Sequence, residues 1–390
     1  MALRPIESVA QLQEYSCVDQ EPWHSDHPER VLKLDWNESP SVCQTVKERL
    51  AEFLNRPGAI NWYPDVEARD LVQKIAAFVK CPPGLILPFA GSDAALETIC
   101  KTYLSPGDIA VAVHPGYDHF RVYAQSCGGR VFHVVPGDDP LAFSAPAFIE
   151  KTKRIEAPKL IYLINPNNPV GYSIRNDDLL SIIKAFPETG VVLDEAYIEF
   201  FDINASSVPL TSRYDNLIVC RSFSKAFGLA GLRLGYVISD KGNLAHLGKV
   251  RNPKSVSMFA QIAGSALLEN FHAIAEHIER VREGRDWFAE SYRKMGGVAI
   301  SGEANFVLVA VSKPEEVIRS LRQRRIFVRD RSHVQGMAGM IRITAGYRDV
   351  MQRVLGAFES IPACFWRLDT HDYAPKAGES APDFSSVPVK

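Results

Sequence analysis

The stretch "RSFSKAFGLAGLRLGY", residues 221–236, decides the fold. It is too polar for a core and too rich in small residues for an ordinary amphipathic helix. Lys225 follows two hydroxyl residues, Ser222 and Ser224. Gly228, Gly231 and Gly235 come after it, with Arg233 among them. The plain reading of one lysine in a loop is solvent exposure. Three features argue for more. An apolar run, "NLIVC", ends just before it, and the strand ends of an α/β sheet are where ligands sit. The serine hydroxyls can bind an oxyanion. Arg233 adds a planar fork of donors suited to phosphate. No G-x-x-x-x-G-K-[ST] and no G-x-G-x-x-G occurs in the chain, which weakens a nucleotide reading. A Schiff-base lysine for an aldehyde cofactor carrying a phosphate remains.

Outward from this stretch, apolar, β-branched runs alternate with helical patterns. "DIAVAVHP", "RVFHVV", "KLIYLIN", "VVLDEAYIEF", "NLIVCRSF" and "LRLGYVIS" read as strands. "DVEARDLVQKIAAFVK" and "NDDLLSIIKAF" read as helices, the first stopped by Pro82-Pro83. Continuous apolar strands separated by helices imply a mostly parallel sheet covered on both faces. After residue 255 one long helical stretch leads into clustered strands, "VAISGEANFVLVAV", "IFVRD" and "MIRITAG", a pattern that suggests a smaller α+β domain. The expected organisation is an N-terminal segment (1–40) packing with the small domain, a large domain (41–255), the small domain (256–364) and a disordered Pro/Ser/Ala-rich tail (365–390).

The bulk numbers exclude several classes. The chain has 390 residues, 46% hydrophobic and 23% charged, with a formal net charge of −2. That charge gives no basic field for nucleic acid or a membrane surface. No apolar run approaches the roughly 20 residues of a membrane span. The opening "MALRPIESVAQLQEY" has no apolar core of a signal peptide. The seven cysteines include no C-x-x-C pair, so no metal site is expected and the thiols read as reduced, in a cytoplasmic protein.

A pyridoxal phosphate site also needs an acid beside the pyridine nitrogen. Asp194 ends the run Val191-Val192-Leu193. A strand-end cap is the plain alternative, but a carboxylate there is expensive to bury without a cation. Tyr197 and Asn168, the latter in "LINPNNPVG", could both donate to the cofactor's phenolic oxygen; alone, Asn168 would read as an Asn-Pro turn. "PFAGSDAALETI" puts Gly91, Ser92 and Asp93 ahead of a helical pattern, where backbone N–H groups bind phosphate or an ordinary N-cap forms. Tyr117, in "HPGYDHF", could stack on the ring or simply pack.

Taken together and in order, "NPVG", "DEAY" and "SFSK" with Arg233 resemble the fold type I pyridoxal-phosphate aminotransferases. "SFSKAFGLAGLRLGY" and the pairing of "FVRD" with "IRITAG" are similar to the histidinol-phosphate aminotransferase family, from about residue 31 to about 360. The resemblance implies a large domain with a mostly parallel central sheet between helices, plus a smaller α+β domain. It implies that Lys225 carries the cofactor and moves the proton, that Asp194 pairs with the pyridinium, and that Asn168 and Tyr197 hold the phenolic oxygen. Ser92, Asp93, Ser222, Ser224 and Arg233 would form the phosphate cup, and Tyr117 would stack on the ring. Tyr63, in "NWYPD", would reach the partner subunit's cofactor, making the active unit a homodimer. Arg342 and Arg329 would grip substrate anions, and Asn37 lies in the N-terminal substrate segment.

The chain departs from that pattern at positions expected near the substrate. "RNPKSVS" replaces the usual P-Y-N-V, "WNESPSV" lacks a Gly-Pro continuation, Ala94 stands where an acid is usual, and Val170 replaces threonine. Lys254 is therefore expected to add positive charge at the substrate mouth. The expected reaction is ping-pong transfer of an amino group, from glutamate, to a phosphorylated or anionic keto or aldehyde acceptor. The alternatives are a decarboxylase of a phosphorylated amino acid, resembling threonine-phosphate decarboxylase, and a non-catalytic effector-binding domain.

Overall fold

A computed structural model describes residues 3–13 and 20–368. The larger sheet has seven strands in the order β2-β8-β7-β6-β5-β3-β4. They are β2 (Ile86–Phe89), β3 (Ile109–Val113), β4 (Arg130–Val134), β5 (Leu160–Ile164), β6 (Gly190–Asp194), β7 (Leu217–Ser222) and β8 (Gly235–Ser239). Strands β3 to β7 pair in parallel, and β8 runs antiparallel to both of its neighbours. Strands β3, β5 and β8 are buried along their whole length, as covering helices on both faces require. The short β2 was not evident from sequence because Pro88 interrupts it. On a sheet edge the missing N–H costs no ladder bond.

The smaller sheet has the order β1-β11-β12-β10-β9. It comprises β1 (Leu32–Leu34), β9 (Val298–Ser301), β10 (Phe306–Ala310), β11 (Ile326–Asp330) and β12 (Met340–Thr344). The N-terminal segment joins it because β1 pairs in parallel with β11, Leu32 beside Ile326 and Leu34 beside Val328. Further upstream, Ser8 Oγ donates to the Ser126 carbonyl of the larger unit, 3.2 Å away.

Four expectations need adjustment. The run "VVLDEAYIEF" is a strand only to Asp194, where the Ala196 N–H turns back onto the Asp194 carboxylate at 3.0 Å. The long helical stretch is two helices, Met258–Glu269 and Phe271–Lys294, separated at Asn270. The change of core falls later than residue 255. Met258–Glu269 is apolar on nearly every side, so it needs cover all round and takes it from the larger core, against helices Gln44–Leu54 and Arg69–Val79. Phe271–Lys294 straddles the two units: Ile274, Ile278 and Val281 belong to the larger core, Phe288, Ala289 and Tyr292 to the smaller. At the other end, Trp366 is only 3% exposed and packs on Tyr292 and Phe358, so the ordered chain runs past the expected start of the tail. The rest of the expected tail, 369–390, lies outside the described residues. Among the described residues no helix is long and apolar enough to cross a membrane, and no group of three or more His, Cys, Asp or Glu could hold a metal ion.

Candidate active site

The parallel strands place their carboxyl ends on one edge of the larger sheet, and the turns leaving them carry the polar side chains singled out above. Asn168 follows β5, Asp194 closes β6, Ser222 closes β7, and Ser224 and Lys225 lie just beyond. Antiparallel β8 begins at the same edge, so Gly235 pairs with Ser222. This is the crevice that open α/β sheets offer to ligands.

Asp194 is 5% exposed. Tyr162 Oη donates to its Oδ2 at 3.0 Å, and the Ala196 N–H to its Oδ1 at 3.0 Å. Burial pushes its pKa up to about 6, although both donors and the charge of Lys225 pull the other way. Among the described residues it has hydroxyl and amide partners but no salt bridge. Lys225 is partly accessible. Its Nζ donates to the Trp36 carbonyl at 2.8 Å and lies 5.7 Å from the Tyr197 ring centroid. Burial, and then the Arg342 charge, lower its pKa to about 8.

Around the Tyr197 hydroxyl the structure gathers residues distant in sequence. Asn37 Nδ2 donates to it at 3.0 Å and Asn168 Nδ2 at 3.2 Å. Arg342 in turn donates to Asn168 Oδ1 at 2.5 Å and to the Asp35 carbonyl at 2.6 Å. Arg329, on β11, is the direct cross-strand neighbour of Arg342 on β12, so both guanidinium stems leave the same face of the small sheet.

A second group lies at the Lys225 turn. Ser222 Oγ accepts from the Ser224 N–H at 3.0 Å, and Arg233 Nη1 donates to Ser224 Oγ at 3.4 Å. Arg233 Nη2 donates to Asp93 Oδ2 at 3.1 Å. Tyr117 Oη donates to Asp93 Oδ1 at 2.8 Å, so Asp93 bridges Tyr117 and Arg233. Gly91, with φ +89°, caps the helix Ser92–Tyr103; a Cβ there would come within 2.5 Å of Arg233 Nη2. The start of that helix therefore faces the Arg233 fork across a gap only glycine leaves open.

Tyr63 and Lys254 find each other instead of this cluster. Lys254 Nζ sits 4.8 Å from the Tyr63 ring centroid, on a ring that is 79% exposed in the single chain. Lys254, expected to add positive charge at the substrate mouth, thus lies within one chain over the exposed ring of Tyr63.

The sequence reading overlooked four residues. Tyr162 and Thr344 are polar residues inside apolar strands, and the Asn305 side chain donates to the Asn37 carbonyl at 3.1 Å. Arg331 lies two residues beyond Arg329, so period-two spacing could have flagged it. Its positive charge acts on the Tyr197 hydroxyl together with that of Arg342.

Comparison with known proteins decides the family. Residues 29–358 match the family described as aminotransferase class I and II. The chain belongs to it. It is 33% identical over 334 residues to a histidinol-phosphate aminotransferase of Ruminiclostridium cellulolyticum, covering 84% of this chain and 92% of the relative. It is 35% identical over 358 residues to a dihydroxyacetone phosphate transaminase of Campylobacter jejuni, covering 89% and 94%. The crystal structure of histidinol-phosphate aminotransferase from Sinorhizobium meliloti in complex with pyridoxal-5'-phosphate is similar with a TM-score of 0.83 and 26% identity, covering 93% of this chain and 99% of that one. This aminotransferase has the fold type I architecture and is pyridoxal-phosphate dependent, of the histidinol-phosphate aminotransferase-like kind.

Proposed function

We propose that this aminotransferase moves an amino group from glutamate to a phosphorylated ketone or aldehyde, with the residues above in defined roles. The observation that carries the role assignment is Asp194: a carboxylate buried at a strand end without a salt bridge is a place prepared for a cation that the polypeptide does not supply. The bound cofactor supplies an electron sink at its protonated ring. Asp194 would keep the ring nitrogen protonated, and Tyr162 would hold the carboxylate in place. Asn168 and Tyr197 would fix the phenolic oxygen. The backbone N–H groups at Ser92 and Asp93, with Ser222, Ser224 and Arg233, would hold the phosphate. Tyr117, tied to Asp93, would lie against the ring.

Lys225 would take the proton from the substrate α-carbon and return it during the second half of the transfer. A pKa near 8 leaves a useful fraction of its Nζ unprotonated at neutral pH. Arg342 would bind the α-carboxylate of the donor, which both half-reactions have to accommodate. Arg329 and its neighbour Arg331 favour a second, stronger anion. The resemblance to a dihydroxyacetone phosphate transaminase supports a phosphorylated ketone as acceptor. We further read the active unit as a homodimer in which Tyr63 and Lys254 serve the neighbouring subunit. Trp62, Tyr63 and Ile60 are exposed together in one chain, as residues of an interface would be. The six described cysteines are free, in keeping with a cytoplasmic setting.

The test is an absorbance spectrum of the cofactor-loaded protein before and after L-glutamate. Conversion to the pyridoxamine form supports the donor, and dihydroxyacetone phosphate should then restore the starting band. A spectrum that glutamate leaves unchanged overturns the donor assignment. Failure of every phosphorylated ketone and aldehyde tested to restore the starting band would overturn the acceptor assignment.

A further inference from the structure

The segment 35–41 crosses the mouth of the site, and its two halves are anchored differently. The first half is tied to site residues. The Asn37 N–H donates to Thr344 Oγ1 at 3.0 Å, Asn305 Nδ2 donates to the Asn37 carbonyl, and Lys225 donates to the Trp36 carbonyl. The second half lies on the Lys225 turn itself. A Cβ on Gly228 would come within 2.7 Å of the Ser41 carbonyl oxygen and 3.4 Å of Ser39 Cβ.

Four side-chain groups hold that second half, and the direction of each hydrogen bond can be worked out. Ser39 Oγ donates to the Ser41 carbonyl at 2.8 Å. Its one proton is thereby committed, so towards His277 Nε2, 3.0 Å away, it can only accept. Nε2 therefore carries the proton. In a neutral imidazole Nδ1 is then an acceptor, and among the described residues the proton offered to it is that of Tyr347 Oη at 2.8 Å. With its own proton given to His277, Tyr347 Oη accepts from Ser41 Oγ at 2.9 Å. The chain of donors leaves the Ser41 hydroxyl, runs through Tyr347, His277 and Ser39, and returns to the Ser41 carbonyl.

With His277 neutral the circuit closes in this direction. A second ring proton would make Nδ1 the donor to Tyr347 Oη and reverse the Tyr347–Ser41 bond. The surroundings oppose that proton. Burial, and then the Arg280 charge, lower the His277 pKa to about 4, and the Arg280 guanidinium carbon lies 3.7 Å from the Tyr347 ring centroid. The circuit also joins three parts of the fold: the segment 35–41, the straddling helix Phe271–Lys294 and the turn after β12.

We propose that His277, as its neutral Nε2–H tautomer, and Tyr347 are positioning residues that clamp Ser39–Ser41 over the Lys225 turn and so set the affinity for the amino donor. The link to donor affinity rests on the proposed function; the clamp itself does not. Tyr347→Phe removes one hydroxyl and keeps the ring. His277→Leu removes both nitrogens. His277→Gln keeps one donor and one acceptor.

Hydrogen exchange of residues 36–44 in the cofactor-loaded enzyme reads the clamp, and steady-state kinetics with glutamate reads its consequence. Tyr347→Phe and His277→Leu should speed that exchange and raise KM about tenfold, the equivalent of one lost hydrogen bond, while kcat changes about twofold or less. His277→Gln should recover most of both effects. Imidazole ¹⁵N spectra should show His277 protonated on Nε2 alone at neutral pH. Exchange and KM both unchanged in the first two variants, or a proton found on Nδ1, would overturn the proposal. Faster exchange with unchanged KM would uphold the clamp and overturn its link to donor binding.

Discussion

At the scale of single residues, Asp194 and Lys225 show how one environment prepares two groups in opposite directions. Burial disfavours the charged form of each, so the acid rises to about 6 and the amine falls to about 8. For Asp194 this makes a stability prediction for the cofactor-free protein. Its folded pKa lies above the ordinary 3.8, so the folded state binds the extra proton between about pH 4 and 6. The penalty for the buried charge is absent below that window and fully present above it. Asp194→Asn should therefore stabilise the cofactor-free protein at pH 7–8 by roughly 1–3 kcal/mol and do nothing at pH 4. Denaturant unfolding at the two pH values checks this. The same variant, loaded with cofactor, should lose most of its activity, since the amide cannot hold a ring proton. Lys225→Ala should lower kcat at least about 10²–10⁴-fold, the usual worth of a positioned proton-transfer group. Retained steady turnover in a glutamate assay would contradict its role.

At the scale of elements, the site depends on strand ends and on what the turns leave open. Gly91 is the sharpest case, because its φ of +89° and its closeness to Arg233 both exclude a side chain. Gly91→Ala should cost about 1 kcal/mol or more in stability through the backbone alone. It should also weaken cofactor binding by displacing Arg233, and a titration of the cofactor-free variant measures the loss. The elements around this turn were largely legible in the sequence. Lys225, Ser222, Ser224 and Arg233 are close in the chain, and Asp194 and Asn168 sit where apolar runs stop. Tyr162 was not legible, because a lone hydroxyl inside β5 looks like any strand tyrosine until Asp194 is seen beside it. The break at Asn270 escaped because apolar periodicity continues on both sides and the residues flanking it, from Ala260 to Val281, pack into the same larger core. Trp36 contributes a backbone carbonyl, which no side-chain pattern can reveal.

At the scale of the whole molecule, the shared-site reading makes a mixing prediction. Lys225→Ala and Tyr63→Ala should each be nearly inactive alone. If Tyr63 serves the neighbouring subunit, a mixed dimer holds one wholly intact site and one doubly damaged site. Random re-pairing of equal amounts should then restore about a quarter of wild-type activity. A tyrosine acting within its own chain would restore none. The small unit also reaches the candidate site, because Arg342 of its sheet donates to Asn168 of the larger unit and Arg329 lies beside it. The N-terminal segment binds the two units together. It enters through β1 on the small sheet, passes Trp36 to Lys225, and ends with Ser41 on the Gly228 turn. A single proteolytic nick just beyond Ser41 would sever this crossing piece from the larger unit, leaving only the β1 pairing and the hydrogen bonds at Trp36 and Asn37 to hold it. Loss of activity on dilution after such a cut would reflect the loss of a covalent tether, and the severed peptide, added back in excess, should restore turnover.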